Sequence, residues 1–132
     1  MLNIPDDPDS AWWWEALRAG SLLLPKCGSC HNFYFPPIGR CPECGYEHFE
    51  QITACGRGSI YSWVVIHHAF DEEFASDVPA VIAAVDLDEG PRILVRLVGQ
   101  SVPTPGGRVR AVQHSVNGVV VPAVEMESYH PV

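Results

Sequence analysis

Apolar and polar residues alternate most clearly in the second half of the chain. Residues 58–67 are rich in β-branched and aromatic side chains, which predicts a β-strand. Because successive side chains of a strand point to opposite faces, strict alternation divides the apolar side chains into two sets. These sets are Ile60, Val64 and Ile66 on one side and Tyr61, Trp63 and Val65 on the other.

Four more strands are predicted in the same way. They cover residues 79–87, 92–98, 108–115 and 119–124. Turn residues stand between them at 88–90 (Asp-Glu-Gly) and 117–118 (Asn-Gly), and a loop rich in Pro and Gly precedes residue 108. Five strands in about seventy residues predict a small closed barrel, and the OB-fold is the commonest architecture of that size and strand count.

A short helix is predicted at residues 11–19. Asp9-Ser10 can cap its start, and Gly20 suits the position that ends a helix. Helical residues are about 100° apart, so three consecutive residues spread over about 200° of the circumference. Either two of the three tryptophans here fix the helix to its own domain, or at least one anchors another protein, since Trp is enriched in interface hot spots. These residues are Trp12, Trp13 and Trp14.

Four of the five cysteines form two Cys-x-x-Cys pairs separated by ten residues. Each pair makes a tight turn whose thiolates point at one centre, so the two pairs supply four soft ligands for a tetrahedral metal site. The predicted ligands are Cys27, Cys30, Cys41 and Cys44. A redox Cys-x-x-Cys would need a βαβ context that this sequence lacks. Zinc is the expected metal, although the same four sulfurs would accept iron, as in a rubredoxin.

Four thiolates leave no open coordination position, so this site is predicted to be structural rather than catalytic. His31 and His48 stand beside the cysteine pairs and are expected to lie outside the ligand set. Gly45 suits a backbone with positive φ whose amide approaches a sulfur. The remaining cysteine, Cys55, is expected to be a small buried apolar residue.

Composition restricts the class of protein. The 132 residues are 47% hydrophobic, which supports one compact unit and argues against disorder. Apolar runs are shorter than the eighteen or so residues that cross a bilayer, and the N-terminus lacks the positive region of a secretory signal, so we expect a cytoplasmic protein without a membrane partner. The net charge of -8 argues against nucleic acid as a partner.

The order of these parts resembles that of one protein family. Along the chain come Trp14–Gly20, the first Cys-x-x-Cys, Phe35-Pro36-Pro37, Cys41–Gly45, Gly56–Ser62 and Leu87–Arg92. This order is similar to that of the family called Domain of Unknown Function 35, over nearly the whole chain. The resemblance implies a mainly β protein with a short N-terminal helical segment (residues 1–24), a rubredoxin-like zinc ribbon (25–50) and a five-stranded OB-fold domain with a C-terminal tail (51–132).

The resemblance also implies a function. Members of this family are associated with acyl-CoA metabolism and act mostly as partners of thiolase-like enzymes, including retro-aldolases that shorten steroid side chains. The family has no agreed catalytic residues on this subunit. We therefore expect a non-catalytic, zinc-binding accessory subunit that forms a hetero-oligomer with a thiolase-like enzyme and shares its acyl-CoA substrate. The favoured partner is a retro-aldolase, which is a carbon-carbon lyase, of steroid or fatty acyl side-chain degradation. A thiolase-like acyltransferase is the alternative partner.

Two surfaces are candidates for these contacts. His67 ends the first barrel strand, and Phe70 and Phe74 lie in the long connection after it, where binding residues are often found; with the tryptophans they form the predicted partner interface. Two pairs of arginines each share one face of a strand. They either bind the phosphates of coenzyme A or form a solvated outer face. These arginines are Arg92, Arg96, Arg108 and Arg110.

Two other functions stay open. An OB-fold that binds single-stranded nucleic acid could use Tyr61 and Trp63 as stacking platforms, although the acidic charge opposes it. Iron in the four-cysteine site would instead make the protein a rubredoxin-like electron carrier. His67-His68 could serve as a general base near pH 7, but no motif places a nucleophile beside them.

Overall fold

The computed structural model describes residues 8–67, 79–99 and 102–127. Within these ranges, the structure contains no helix with the length and apolarity needed to span a membrane. In the described part of the chain, one helix precedes seven strands. These elements are α1 (Ala11–Arg18), β1 (Leu23–Cys27), β2 (Phe49–Thr53), β3 (Arg57–Ile66), β4 (Ala80–Leu87), β5 (Arg92–Val98), β6 (Arg108–Val116) and β7 (Val119–Met126).

Helix α1 ends one residue earlier than predicted and begins without a side-chain cap. Ser10 occupies the N-cap position, but its side chain makes no capping hydrogen bond. At the C-terminal end, Ser21 N–H donates to the Ala16 carbonyl and Gly20 N–H donates to the Leu17 carbonyl, while Gly20 adopts a φ of 94°. This is the Schellman arrangement, in which a glycine in the left-handed region reverses the chain.

Strands β1 and β2 pair antiparallel and form the base of the ribbon. Leu23 lies opposite Thr53 and Cys27 lies opposite Phe49. The sequence pattern predicts an extended segment for β1 but no strand at β2. None of the β2 side chains is buried, so this strand lacks the apolar pattern by which a strand is recognised.

The other five strands close into a barrel in the order β3-β4-β5-β7-β6, with β6 pairing back onto β3. The β5–β7 pair is parallel and the remaining pairs are antiparallel. This is a three-strand meander closed by two further strands, the arrangement of an OB-fold. The predicted fold class is confirmed: a mainly β chain with one short helix, a ribbon that carries the cysteines and a five-stranded OB-fold barrel.

One hydrophobic core runs from the ribbon into the barrel. Leu24 of β1 is fully buried among barrel side chains such as Val85, Val95 and Val109. The half-buried Phe35 of the ribbon packs against the same cluster. The ribbon and the barrel are therefore joined by apolar packing as well as by the chain connection.

A β-bulge at Tyr61 changes which residues of β3 face the core. Ile60 pairs with Val85, but Ser62 pairs with Ala84, so Tyr61 is an extra residue in the ladder. The insertion moves Trp63 to the side of Ile60, where it packs against the core. The predicted division of β3 into two faces is therefore wrong beyond Ile60.

Candidate metal centre and surrounding surfaces

The four predicted ligands converge on one point in the ribbon. Their sulfur atoms all lie within 4.8 Å of one another, with Cys27 Sγ 3.5 Å from Cys44 Sγ and Cys30 Sγ 3.6 Å from Cys41 Sγ. A zinc ion with four bonds of about 2.3 Å would hold its sulfurs roughly 3.8 Å apart in a regular tetrahedron. The donor set and its spacing therefore fit a four-coordinate metal ion with thiolate ligands.

Two similar turns position these sulfurs. After the first pair, His31 N–H donates to the Cys27 carbonyl, and after the second, Gly45 N–H donates to the Cys41 carbonyl. Both residues adopt positive φ, 64° for His31 and 78° for Gly45. The positive φ of Gly45 is as predicted, but its amide bonds a carbonyl oxygen rather than a sulfur.

The pKa values of Cys27 and Cys30 are shifted in opposite directions. Desolvation raises the pKa of Cys27, but the amides of Cys30 and Ser29 donate to its sulfur and, with its thiol neighbours, lower that pKa to about 6. The amide of Asn32 lowers the pKa of Cys30, but desolvation and the surrounding cysteines raise it to about 12. Four thiolates in such close contact repel one another, and a divalent cation at their centre would remove that repulsion.

Two aromatic side chains pack against the cysteine cluster. Tyr34 is buried against Cys27 and Cys41, and Phe49 packs against it with ring centroids 6.3 Å apart. Burial and the nearby sulfurs raise the pKa of the Tyr34 phenol. Tyr34 is not among the predicted site residues, although an aromatic residue four positions after a Cys-x-x-Cys pair is a visible signal.

The remaining histidines and cysteine of this region lie outside the cluster. His31 and His48 are both exposed, and the group of possible metal ligands among the described residues consists of the four cysteines. Cys55 is also exposed, so its predicted burial is wrong. It stands in the connection between ribbon and barrel, where its amide donates to a Glu89 carboxylate oxygen at 2.7 Å.

The three tryptophans of α1 have different environments. Trp13 is buried, and its indole N–H donates to the Leu23 carbonyl at 2.9 Å. Trp12 packs on Phe49 with centroids 5.4 Å apart, and Trp14 stands edge-on to Trp13 at 4.8 Å. Trp12 and Trp14 are half-buried. Trp13 therefore packs within its own chain. The contact of Trp12 and Trp14 with a partner protein stays a prediction.

The other predicted interface residues are only partly described. His67 follows β3 and is exposed. Phe70 and Phe74 lie outside the described residues. Their predicted contact with a partner protein stays a prediction.

Three of the four arginines predicted to contact coenzyme A form ion pairs within the barrel. Arg92 forms a two-point contact with Asp86, Arg108 forms one with Asp88, and Arg110 pairs with Glu125. In each case the partner carboxylate belongs to the same chain. Arg96 also interacts within the chain. The contact of these arginines with coenzyme A phosphates stays a prediction, and phosphate would have to compete with the carboxylates.

The two aromatic residues considered as stacking platforms for nucleic acid make contacts within the barrel. The Arg92 guanidinium lies 3.5 Å above the ring centroid of Tyr61, and Trp63 packs against the barrel core. Tyr61 nevertheless remains 60% exposed, so these contacts leave part of its ring accessible. The net charge of -8 is the observation that opposes the nucleic-acid alternative.

Comparison with known proteins identifies both parts of the chain. Residues 14–50 match the family described as ChsH2, rubredoxin-like zinc ribbon domain, and residues 51–114 match ChsH2, C-terminal OB-fold domain. In the solved structures, the chain resembles one from an Ltp2-ChsH2(DUF35) aldolase, with a TM-score of 0.83, 29% identity and coverage of 94% of this chain and 98% of that one.

Curated relatives carry names of enzyme subunits and scaffolds. A probable enoyl-CoA hydratase alpha subunit of Thermomonospora curvata is 37% identical over 69% of this chain and 28% of its own length. A DUF35 domain-containing scaffold protein of Methanocaldococcus jannaschii is 38% identical over 65% of this chain and 61% of its own. The benzoylsuccinyl-CoA thiolase subunit BbsA of Thauera aromatica is 32% identical over 62% and 55%. The chain thus matches less than two thirds of the length of each of these relatives.

Proposed function

The chain belongs to the ChsH2-like DUF35 family, and on that premise we propose that it is a non-catalytic, zinc-binding accessory subunit of a thiolase-like acyl-CoA enzyme. One observation carries the proposal: the fold matches the DUF35 chain of an aldolase complex over 94% of its own length at a TM-score of 0.83. The names of the relatives, a thiolase subunit and a scaffold protein among them, support the same assignment.

The zinc ion in this proposal is structural. Cys27, Cys30, Cys41 and Cys44 would hold it with all four coordination positions filled by sulfur, which leaves none for a substrate. Bound zinc would fix the turns of the ribbon and the packing of Tyr34 against them. The catalytic groups of the complex are then expected on the partner subunit.

A retro-aldolase is the partner type that we favour. The aldolase name of the similar structure supports carbon-carbon bond cleavage, and the acyl-CoA names of the relatives support an acyl-CoA substrate. Steroid or fatty acyl side chains are the substrate class proposed. The subunit would help to shape the channel through which the acyl-CoA reaches the partner.

The proposed partner interface combines α1 with the end of β3. Trp12 and Trp14 are half-buried and His67 is exposed. Phe70 and Phe74 complete the proposed contact. Large aromatic side chains that remain partly exposed are typical interface anchors, because burying the rest of the ring gains apolar contact at low entropic cost.

Affinity capture of the tagged protein from its native lysate tests this function. The retained protein is identified by mass spectrometry, and the complex is sized by native mass. We expect a stoichiometric thiolase-like subunit, and cleavage of an acyl-CoA by the complex but not by either subunit alone. Recovery of the protein without such a partner, or with nucleic acid, would contradict the proposal. A red, iron-containing product would support the electron-carrier alternative instead of zinc.

A further inference from the structure

The seam that closes the barrel between β3 and β6 is short. The two strands pair only from Arg57 to Ser59, and Ile60 then exchanges hydrogen bonds with Gly106 and Gly107. Strand β3 continues to Ile66. Across residues 8–67, 79–99 and 102–127, no strand pairs with its second edge beyond Ile60.

The bulge at Tyr61 determines which main-chain groups point out of this edge. Before the bulge, even-numbered residues face β6: the Gly56 carbonyl accepts from Ala111, and Ile60 bonds Gly106 and Gly107. The extra residue inverts the order, so beyond it the odd-numbered residues point away from β4. The outward N–H and C=O groups therefore belong to Trp63 and Val65.

Two valine side chains of this edge strand are open to solvent. Val64 is 60% exposed and Val65 is 44% exposed, although Val65 pairs with the core-side Val81. Native proteins usually protect an edge strand with Lys or Pro, by making it short or by covering it. The segment from Tyr61 to Ile66 contains neither a charged residue nor a proline.

We infer that this edge of β3 pairs antiparallel with the same edge of a second copy of the chain, about a twofold axis at Val64. In that register Trp63 lies opposite Val65 of the second copy, so their outward N–H and C=O groups satisfy one another. Val64 meets its own copy, and Ser62 meets Ile66.

The self-pairing is complementary on both faces of the strand. On the core side, each exposed Val65 would be covered by the Trp63 ring of the other copy, an aromatic and β-branched cross-strand pair of the kind that stabilises sheets. On the outer side, the two Val64 side chains would contact each other. Residues 61–66 carry no charged side chain. Pairing this segment with its own copy therefore brings no like charges together, despite the acidic net charge of the chain.

Sedimentation velocity of the purified zinc-bound protein, from micromolar to sub-millimolar concentration, tests the inference without any partner. We expect a concentration-dependent species of twice the 14.5 kDa chain mass. Val64→Lys would bring two ammonium groups together on the axis and should raise the dimer dissociation constant at least about tenfold. The matched control is Leu94→Lys, which changes an aliphatic residue 68% exposed on β5 and should leave the dimer intact.

A cross-link tests the register independently of stability. In a Cys55→Ser background, Val64→Cys should form an intermolecular disulfide under mild oxidation, because Val64 would face its own copy, and Leu94→Cys should not. A protein that stays monomeric throughout, or a dimer that Val64→Lys leaves unchanged, would overturn the inference. If the protein is monomeric and its Val64→Lys variant no longer retains the captured partner, the inference is also overturned. The edge of β3 would then pair with a strand of that partner. Each of these outcomes is independent of whether the captured partner is thiolase-like.

Discussion

The indole N–H of Trp13 donates a hydrogen bond to the backbone carbonyl of Leu23, 2.9 Å away. This bond joins the only helix among the described residues to the first strand of the ribbon. The ring of Trp13 also packs on Phe35 with centroids 5.3 Å apart, and Phe35 packs against the barrel core. One buried side chain therefore connects helix, ribbon and barrel.

Replacing Trp13 should destabilise the whole chain. Trp13→Ala is expected to lower the free energy of unfolding by about 3–5 kcal/mol because it leaves a large cavity. Trp13→Phe retains most of the ring volume and loses the hydrogen bond, which predicts a cost of about 1–2 kcal/mol. Urea unfolding measures both values. The control is Trp14→Phe, which changes a half-buried ring and should cost less than Trp13→Phe.

Removing the metal should unfold the ribbon. Cys41→Ser deletes a buried ligand, so we expect loss of bound zinc and of the β1–β2 pairing, with a lower melting temperature because Leu24 of β1 is part of the barrel core. Elemental analysis and amide hydrogen exchange measure these effects. Cys55→Ser is the matched control and should retain one zinc ion per chain. Equal metal content in the two variants would contradict a site that depends on all four sulfurs.

The sequence predicts the metal site and the barrel strands well because both depend on local spacing. Two Cys-x-x-Cys turns fix the direction of their own sulfurs, and β5 is predicted with the bounds that it has, Arg92–Val98. The division of the tryptophans could not be predicted. A helical repeat gives the angle between Trp12, Trp13 and Trp14 but does not say which direction faces the rest of the protein.

The bulge at Tyr61 and the pairing of β1 with β2 could not be predicted for a different reason. Strand β3 is apolar on both faces, so its pattern reads equally well with or without an extra residue at Tyr61. Strand β2 is held by its partner β1 and the cysteine cluster rather than by a buried face of its own. Both features depend on contacts between segments distant in sequence.

Gly58 should be intolerant of any side chain. A Cβ at this position would lie 2.5 Å from the Asp86 carbonyl oxygen and 2.8 Å from a Val85 methyl group, both on the neighbouring strand β4. Gly58→Ala should therefore lower the free energy of unfolding by about 1–3 kcal/mol or more. The control is Gly39→Ala, where the added methyl group would meet Asp9 at an ordinary 3.6 Å. Equal midpoints of urea unfolding for the two variants would contradict the close approach.

The ion pair between Asp86 and Arg92 should make stability depend on pH in the acid range. Arg92 lowers the pKa of the Asp86 carboxyl by hydrogen bonding to it. A carboxyl with a lowered pKa stabilises the fold above its ordinary pKa of about 3.9, and this contribution is lost as pH falls through the lowered value.

Asp86→Asn is therefore expected to cost less than about 1 kcal/mol at pH 7, since the pair is partly exposed, and nothing measurable well below pH 3. Urea unfolding at several pH values measures the difference. Glu43→Gln, at an exposed position of the ribbon, is measured as the control. An Asp86→Asn penalty that grows on acidification would mean that the sign of the pKa shift is wrong.

Trp14 is the residue through which the proposed partner interface can be tested with least damage to the fold. Its ring is half-buried against Trp13, so Trp14→Ala should weaken retention of the captured partner at least about tenfold, as expected for an interface hot spot, while costing less stability than Trp13→Ala. Partner retention on the affinity matrix and urea unfolding are measured for the same preparations. Ile38→Ala, at an exposed aliphatic residue of the ribbon, is the control and should retain the partner. If Trp14→Ala lowered stability as much as Trp13→Ala and still retained the partner, the ring would serve only the packing of its own chain.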